Sequence, residues 1–124
     1  MGGPVSAERQ SAQIRLAQAE IEVRQAELLL RDVAAAVMER RDAATNVERG
    51  RWAASIAHVV HQCRRTIHDI SEASGASAHF LSHPLQRAMR DANVMSCHIA
   101  FDRDVQRENF GRLLLDRDPV APVF

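Results

Sequence analysis

The stretch that decides the fold is residues 6–43, SAERQSAQIRLAQAEIEVRQAELLLRDVAAAVMERRDA. It contains no Gly and no Pro, and it is built from Ala, Leu, Gln, Glu and Arg, which lose little freedom in a helix. The spacing predicts one long helix. Its apolar residues fall into two stripes at a helical repeat. Ile14, Ala17, Ile21, Leu28 and Ala36 form the first, and Leu16, Val23, Ala26, Leu30, Val33 and Val37 form the second. Between them runs a polar stripe of Gln13, Glu20, Arg24, Glu27 and Arg31, with Glu20–Arg24 and Glu27–Arg31 spaced as i,i+4 ion pairs. A surface helix needs one apolar stripe, so two stripes predict packing within the chain and also against another chain or domain.

Working outward, residues 1–5 read as a flexible start. Residues 40–46 are charged and polar and mark a break. Thr45 followed by Glu48 has the spacing of a capping box and predicts a second helix over residues 47–73. Its expected core stripe is Ile56, Val59, Val60, Cys63, Ile67 and Ile70, and Gly50 stands in its first turn, where glycine costs little. Ser74 to Ser77 ends that helix, with Gly75 suited to the residue after the last turn. Pro84 suits the first position of a third helix, expected over residues 84–101, with Leu85, Met89, Ala92, Met95, Ser96 and Ile99 inward. Asp102 suits the cap of a short fourth helix over residues 103–115. Residues 118–124, with Pro119 and Pro122, read as an extended tail. The fold class expected is therefore all-α, an antiparallel bundle of three long helices plus a short fourth over residues 6–117.

Composition narrows the function. The 124 residues fit one domain. Sixteen basic residues, all Arg, balance sixteen acidic ones, so no basic excess points to nucleic acid. No apolar run approaches the ~20 residues of a membrane span. The polar start, Met1-Gly2-Gly3-Pro4, does not read as a secretory signal, so a cytoplasmic location with Cys63 and Cys97 reduced is expected. His58, His61, Arg65 and His68 share one stripe of the second helix, but no acidic partner gives them metal-ligand spacing. They read as a solvated or interface stripe, and no metal site is expected.

The segment from Ser74 onward is the most distinctive: Ser74-Gly75-Ala76-Ser77, His83-Pro84-Leu85-Gln86-Arg87-Ala88-Met89-Arg90-Asp91, His98, and Asn109-Phe110-Gly111-Arg112. Over about residues 8–117 it resembles the C-terminal helical domain of the acyl-CoA dehydrogenase superfamily, and more specifically its two-component, reduced-flavin-dependent hydroxylases. The resemblance implies a reduced flavin (FMN or FAD), delivered by a separate flavin reductase, and transfer of one oxygen to an aromatic or polyketide-like substrate. It implies His98 as the acid–base residue near the flavin ring, with Ser74, Gly75 and Ser77 toward the flavin pyrophosphate; Arg87 and Arg90, two guanidinium groups at a helix start, suit a phosphate or, with Asp91, a network that fixes the preceding loop.

Ser74 stands where that family usually has the first glycine of a pair, and His83 where it has Asn. No carboxylate occurs at Cys97, His98 or Ile99, which disfavours acyl-thioester desaturation. The family enzymes are about three times longer. The function expected is therefore a helical oligomerisation and flavin-capping domain or subunit, incomplete as an enzyme alone. Its partner would be a second copy or a complementary acyl-CoA dehydrogenase-like chain. The alternative is a non-catalytic bundle that assembles with such a chain or binds a small molecule between helices.

Overall fold

The computed structural model describes residues 2–73 and 83–123, with side chains from residue 10. Helix α1 spans Gly2–Arg40, α2 Asn46–Ala73, α3 Pro84–Ser96 and α4 Arg103–Leu114, with a 3-10 turn over Ile99–Phe101 between the last two. The described residues hold no strand, as the composition predicts. Helix α1 begins at Gly2, ahead of the expected start at Ser6.

The corner between α1 and α2 is the capping box read from sequence. Thr45 Oγ1 accepts from Glu48 N at 3.2 Å, and Glu48 Oε2 accepts from Thr45 N at 2.7 Å. Arg40 Nε donates to the same carboxylate at 2.7 Å, tying the end of α1 to the start of α2. These donors, Arg40 first and the Thr45 backbone second, hold the Glu48 pKa below the usual carboxylate range.

Helix α2 is the hub, packed against α1, α3, the 3-10 turn and α4. Hence it buries residues all round rather than along one stripe: Gly50, Trp52, Ala54, Ala57, Val59, Thr66 and Ser71. The expected stripe residues Ile56, Val60, Cys63, Ile67 and Ile70 are only half-buried. Gly50 also does more than occupy a tolerant first turn. A Cβ there would lie 2.7 Å from Leu113 Cδ1 and 3.7 Å from Phe110 Cα, so the missing side chain is what lets α4 approach.

The seam of α1 keeps Ala26 and Val33 of the second predicted stripe but not its larger members Leu16, Val23 and Leu30. Its buried residues are Ala19, Ala26 and Val33, seven apart, each followed three residues on by a half-buried one, Glu22, Leu29 and Ala36. This alternating three–four spacing is that of a coiled-coil seam. The small side chains bring α1 close to α2, and Thr66 Oγ1 donates to Glu22 across the junction. The larger residues of both stripes flank the seam in the open: Ile14, Ile21 and Leu28 on one side, Leu16, Val23 and Leu30 on the other. On the polar face Arg24 pairs with Glu27 at 3.7 Å instead of with Glu20.

Helix α3 starts at Pro84 as expected but ends at Ser96, five residues before the predicted end. Asp102 caps α4, its Oδ1 accepting from Asp104 N at 3.0 Å and Val105 N at 3.1 Å. Helix α4 closes on Asp116, whose φ of 59° is left-handed, with Arg117 N donating to Arg112 O at 2.8 Å. The tail then folds back onto Asn109. That side chain is 1% exposed; its Oδ1 accepts from Val120 N (2.8 Å) and Ala121 N (3.1 Å), and its Nδ2 donates to Ala121 O (3.1 Å).

Candidate functional site

His98 is not on the face of a long third helix. The break after Ser96 places it at the start of the 3-10 turn, where its Nδ1 accepts from Ala100 N at 3.1 Å. An imidazole nitrogen that accepts carries no proton, so the neutral ring carries its hydrogen on Nε2. The side chain is exposed, and its ring is tilted against Phe101 at 5.6 Å between centroids. Held this way, His98 presents an N–H donor. Acting as a base would require giving up the backbone cap. The arrangement thus suits steadying an oxygen that gains negative charge better than it suits removing a proton.

His98 stands in a hollow of about 470 Å³ with His61, Ser96, Cys97, Asp102 and Arg103 on its walls. His61 Nε2 meets Phe101 O at 2.8 Å, and because a carbonyl only accepts, Nε2 is the donor. A second groove, of about 390 Å³, shares His61 and Arg103 and adds Arg64, Arg65 and His68. Asn93 Oδ1 accepts from Arg64 Nε at 2.8 Å and meets His68 Nε2 at 3.2 Å. His58 Nδ1 lies 3.4 Å from Arg107 Nη2. The histidine stripe of α2 therefore faces α3, the 3-10 turn and α4 as an internal interface. The hollow that holds His98 is of mixed charge, Arg103 standing with Asp102 and Asp104, while Arg64 and Arg65 line the adjoining groove.

Arg87 and Arg90 both stand exposed on α3. Arg87 Nε lies 3.7 Å from Asp91 Oδ2, and Arg90 makes no ion pair among the described residues. The helix start itself is closed by His83, whose Nδ1 accepts from Leu85 N at 3.1 Å. A phosphate here would meet guanidinium groups rather than the backbone N–H of Leu85. Ser74, Gly75 and Ser77 lie outside the described residues.

Two buried polar atoms flank that segment without a partner among the described residues, Ser71 Oγ and Gln86 Oε1. Sequence reasoning missed both, since neither stands out by type. Two exposed guanidinium groups on one helix have the chemistry to hold a phosphate, whereas these two oxygens are buried away from it.

Among the described residues, no group of three or more His, Cys, Asp or Glu side chains is placed to hold a metal ion. No described helix is long and apolar enough to cross a membrane. Both cysteines are free; Cys63 is half-buried, and burial raises its thiol pKa, while Cys97 is exposed.

Comparison with known proteins gives this geometry a context. Residues 2–103 match the family described as acyl-CoA dehydrogenase, C-terminal domain. The chain is 29% identical over 109 residues to a pigment production hydroxylase from Rhodococcus sp. (strain ATCC 21145), covering 87% of this chain. It spans 28% of the length of that relative. No solved structure matches.

Proposed function

The chain belongs to the acyl-CoA dehydrogenase C-terminal domain family, and on that premise we propose that it is the helical oligomerisation and flavin-capping part of a flavin-dependent monooxygenase or hydroxylase, incomplete as an enzyme by itself. The observation that carries this reading is α1. A 39-residue helix is covered chiefly by α2 along one alanine-rich seam, and it leaves six large apolar residues exposed in two rows beside that seam. Leu16 is 71% exposed and Ile14 61%. Isolated apolar residues are ordinary on a surface, but rows at seven-residue spacing are the pattern of a helix that takes another helix on each flank. A second copy of this chain, or an acyl-CoA dehydrogenase-like chain, would cover them. The hydroxylase relative supports the monooxygenase branch.

A reduced flavin, FMN or FAD, supplied by a reductase, would provide the electrons that activate dioxygen. Arg87 and Arg90 would hold its phosphate, with Ser74, Gly75 and Ser77 as the further contacts that the resemblance implies. His98 would offer its Nε2–H to an oxygen gaining negative charge, with Arg103 on the wall of the same hollow. Cover over α1 and the hollow would keep water away.

Light scattering tests the carrying observation. The expected mass is a multiple of 13.8 kDa, falling toward the single-chain value when Leu16, Val23 and Leu30 are all changed to Ser. A mass of 13.8 kDa at every concentration overturns the assembly reading. Titration with reduced flavin, read by quenching of its fluorescence, tests the second half. Saturable quenching that weakens in Arg90→Gln is expected, together with no oxygenase turnover by this chain and a reductase alone.

A further inference from the structure

We propose that the corner where α1 turns into α2 is a binding site for a small organic carboxylate with an apolar body. A cavity of about 310 Å³ opens there, walled by Val37 of α1, Trp52 and Ile56 of α2 and Phe101 of the 3-10 turn, with Arg41 and Arg49 on its lining. Its size falls at the lower end of small-molecule pockets, and its make-up is theirs: mostly apolar walls with a few polar groups that fix orientation. Burying an aromatic or aliphatic body against these walls removes apolar surface from water on both sides.

The charge is what selects the ligand. The carboxylate nearest this corner in the capping box, Glu48, is already taken by Arg40 and by the Thr45 backbone N–H. Among the described residues neither Arg41 nor Arg49 makes an ion pair. Arg49 donates one Nη2 hydrogen to the Arg41 carbonyl at 2.6 Å, which tethers the guanidinium beside the cavity and leaves other N–H groups to give. A guanidinium fixed in this way matches a carboxylate with two parallel hydrogen bonds. The remaining polar lining group, Gln106, donates its Nε2 to Ala100 O at 3.2 Å and so serves the fold. A neutral apolar molecule would fill the walls but leave both cations unanswered.

This cavity shares no lining residue with the hollow that holds His98, so the inference stands apart from the flavin reading. Trp52 is the only tryptophan in the chain, and it is 9% exposed in the cavity wall, so intrinsic fluorescence reports this corner alone. Titration of the whole chain with 3-phenylpropionate is expected to change that fluorescence saturably. The uncharged 3-phenylpropan-1-ol is expected to bind at least tenfold more weakly. Arg49→Gln, and separately Arg41→Gln, which spares the Arg41 carbonyl, should each weaken the acid tenfold or more and leave the alcohol unchanged. Arg31→Gln, on the polar face of α1, should alter neither. Circular dichroism checks that each variant keeps its helix content. Absence of a saturable response overturns the proposal, as does equal affinity for acid and alcohol, or a loss in Arg31→Gln as large as in Arg49→Gln.

Discussion

The longest helix and one of the shortest are anchored in opposite ways. Helix α1 has 39 residues, and among those whose side chains are described it buries only Ala19, Ala26 and Val33. Helix α4 has 12 and buries Gln106, Asn109 and Leu113, with Leu113 against Gly50 and Asn109 holding the tail. Length therefore does not measure how firmly an element belongs to this fold. A run of small residues gives α1 a narrow seam and little buried area, while the α4 corner combines close packing with fully satisfied polar groups. The thinly held helix offers apolar surface in long rows, whereas α4 exposes a single large apolar residue, Leu114, near its end. The firmly held corner positions Asp102, and through it the turn that bears His98.

The α4 corner offers the strongest test of that contrast. Asn109→Ala removes three hydrogen bonds at once from a site with no water access and leaves a void. It should cost about 2–4 kcal/mol in urea unfolding. Amide exchange at Val120 and Ala121 should quicken beyond what the loss of global stability explains. A variant as stable as the parent would show that the tail is an ornament of α4 rather than part of its anchoring.

Two substitutions on α1 sharpen the contrast from the other side. Val33 is 4% exposed, and Val33→Ala should cost about 1–2 kcal/mol by emptying the seam. Leu16→Ala, on the flank, should fall within about 0.5 kcal/mol at a protein concentration low enough to dissociate any assembly. If the two cost the same there, the seam and the flank are not distinct, and the flank is part of this chain's own core.

These differences also explain what the sequence disclosed. Caps were legible because each needs a particular side chain at a particular offset: Thr45 with Glu48, Pro84 at a helix start, Asp102 before α4. The seam of α1 was legible only in part: Ala26 and Val33 belong to a predicted stripe, but the largest apolar residues mark the stripes most plainly and the structure leaves them exposed. The end of α3 was missed for a related reason. Ser96-Cys97-His98-Ile99 contains no Gly or Pro, and the break depends on an imidazole acting as an acceptor for Ala100 N. His98 was thus legible as an unusual residue but not as a cap. That cap in turn decides what it can do, as a donor at Nε2. Asn109 gave no periodic signal, since its partners are backbone atoms of a tail 11 and 12 residues on.

The smallest effect expected compares two carboxylates, one on each region. Glu22 on the α1 seam has its pKa lowered by the Thr66 hydroxyl first and by Gln18 second. Glu48 at the corner has its pKa lowered by Arg40 first and by the Thr45 backbone N–H second. An acid whose folded pKa lies below its unfolded value stabilises the fold fully above the unfolded value, near 4.3 for Glu, and the contribution fades as pH falls through the folded value. The melting temperature should therefore hold between about pH 7 and pH 5 and fall below about pH 4. Glu48→Gln and Glu22→Gln should each make that acid-side fall shallower. Because Glu48 is tied to a guanidinium from another helix and Glu22 to neutral donors, raising the salt concentration should narrow the Glu48 effect more. Superimposable pH profiles for the parent chain and Glu48→Gln would mean that the capping box, however well formed, does not draw on the charge of its carboxylate.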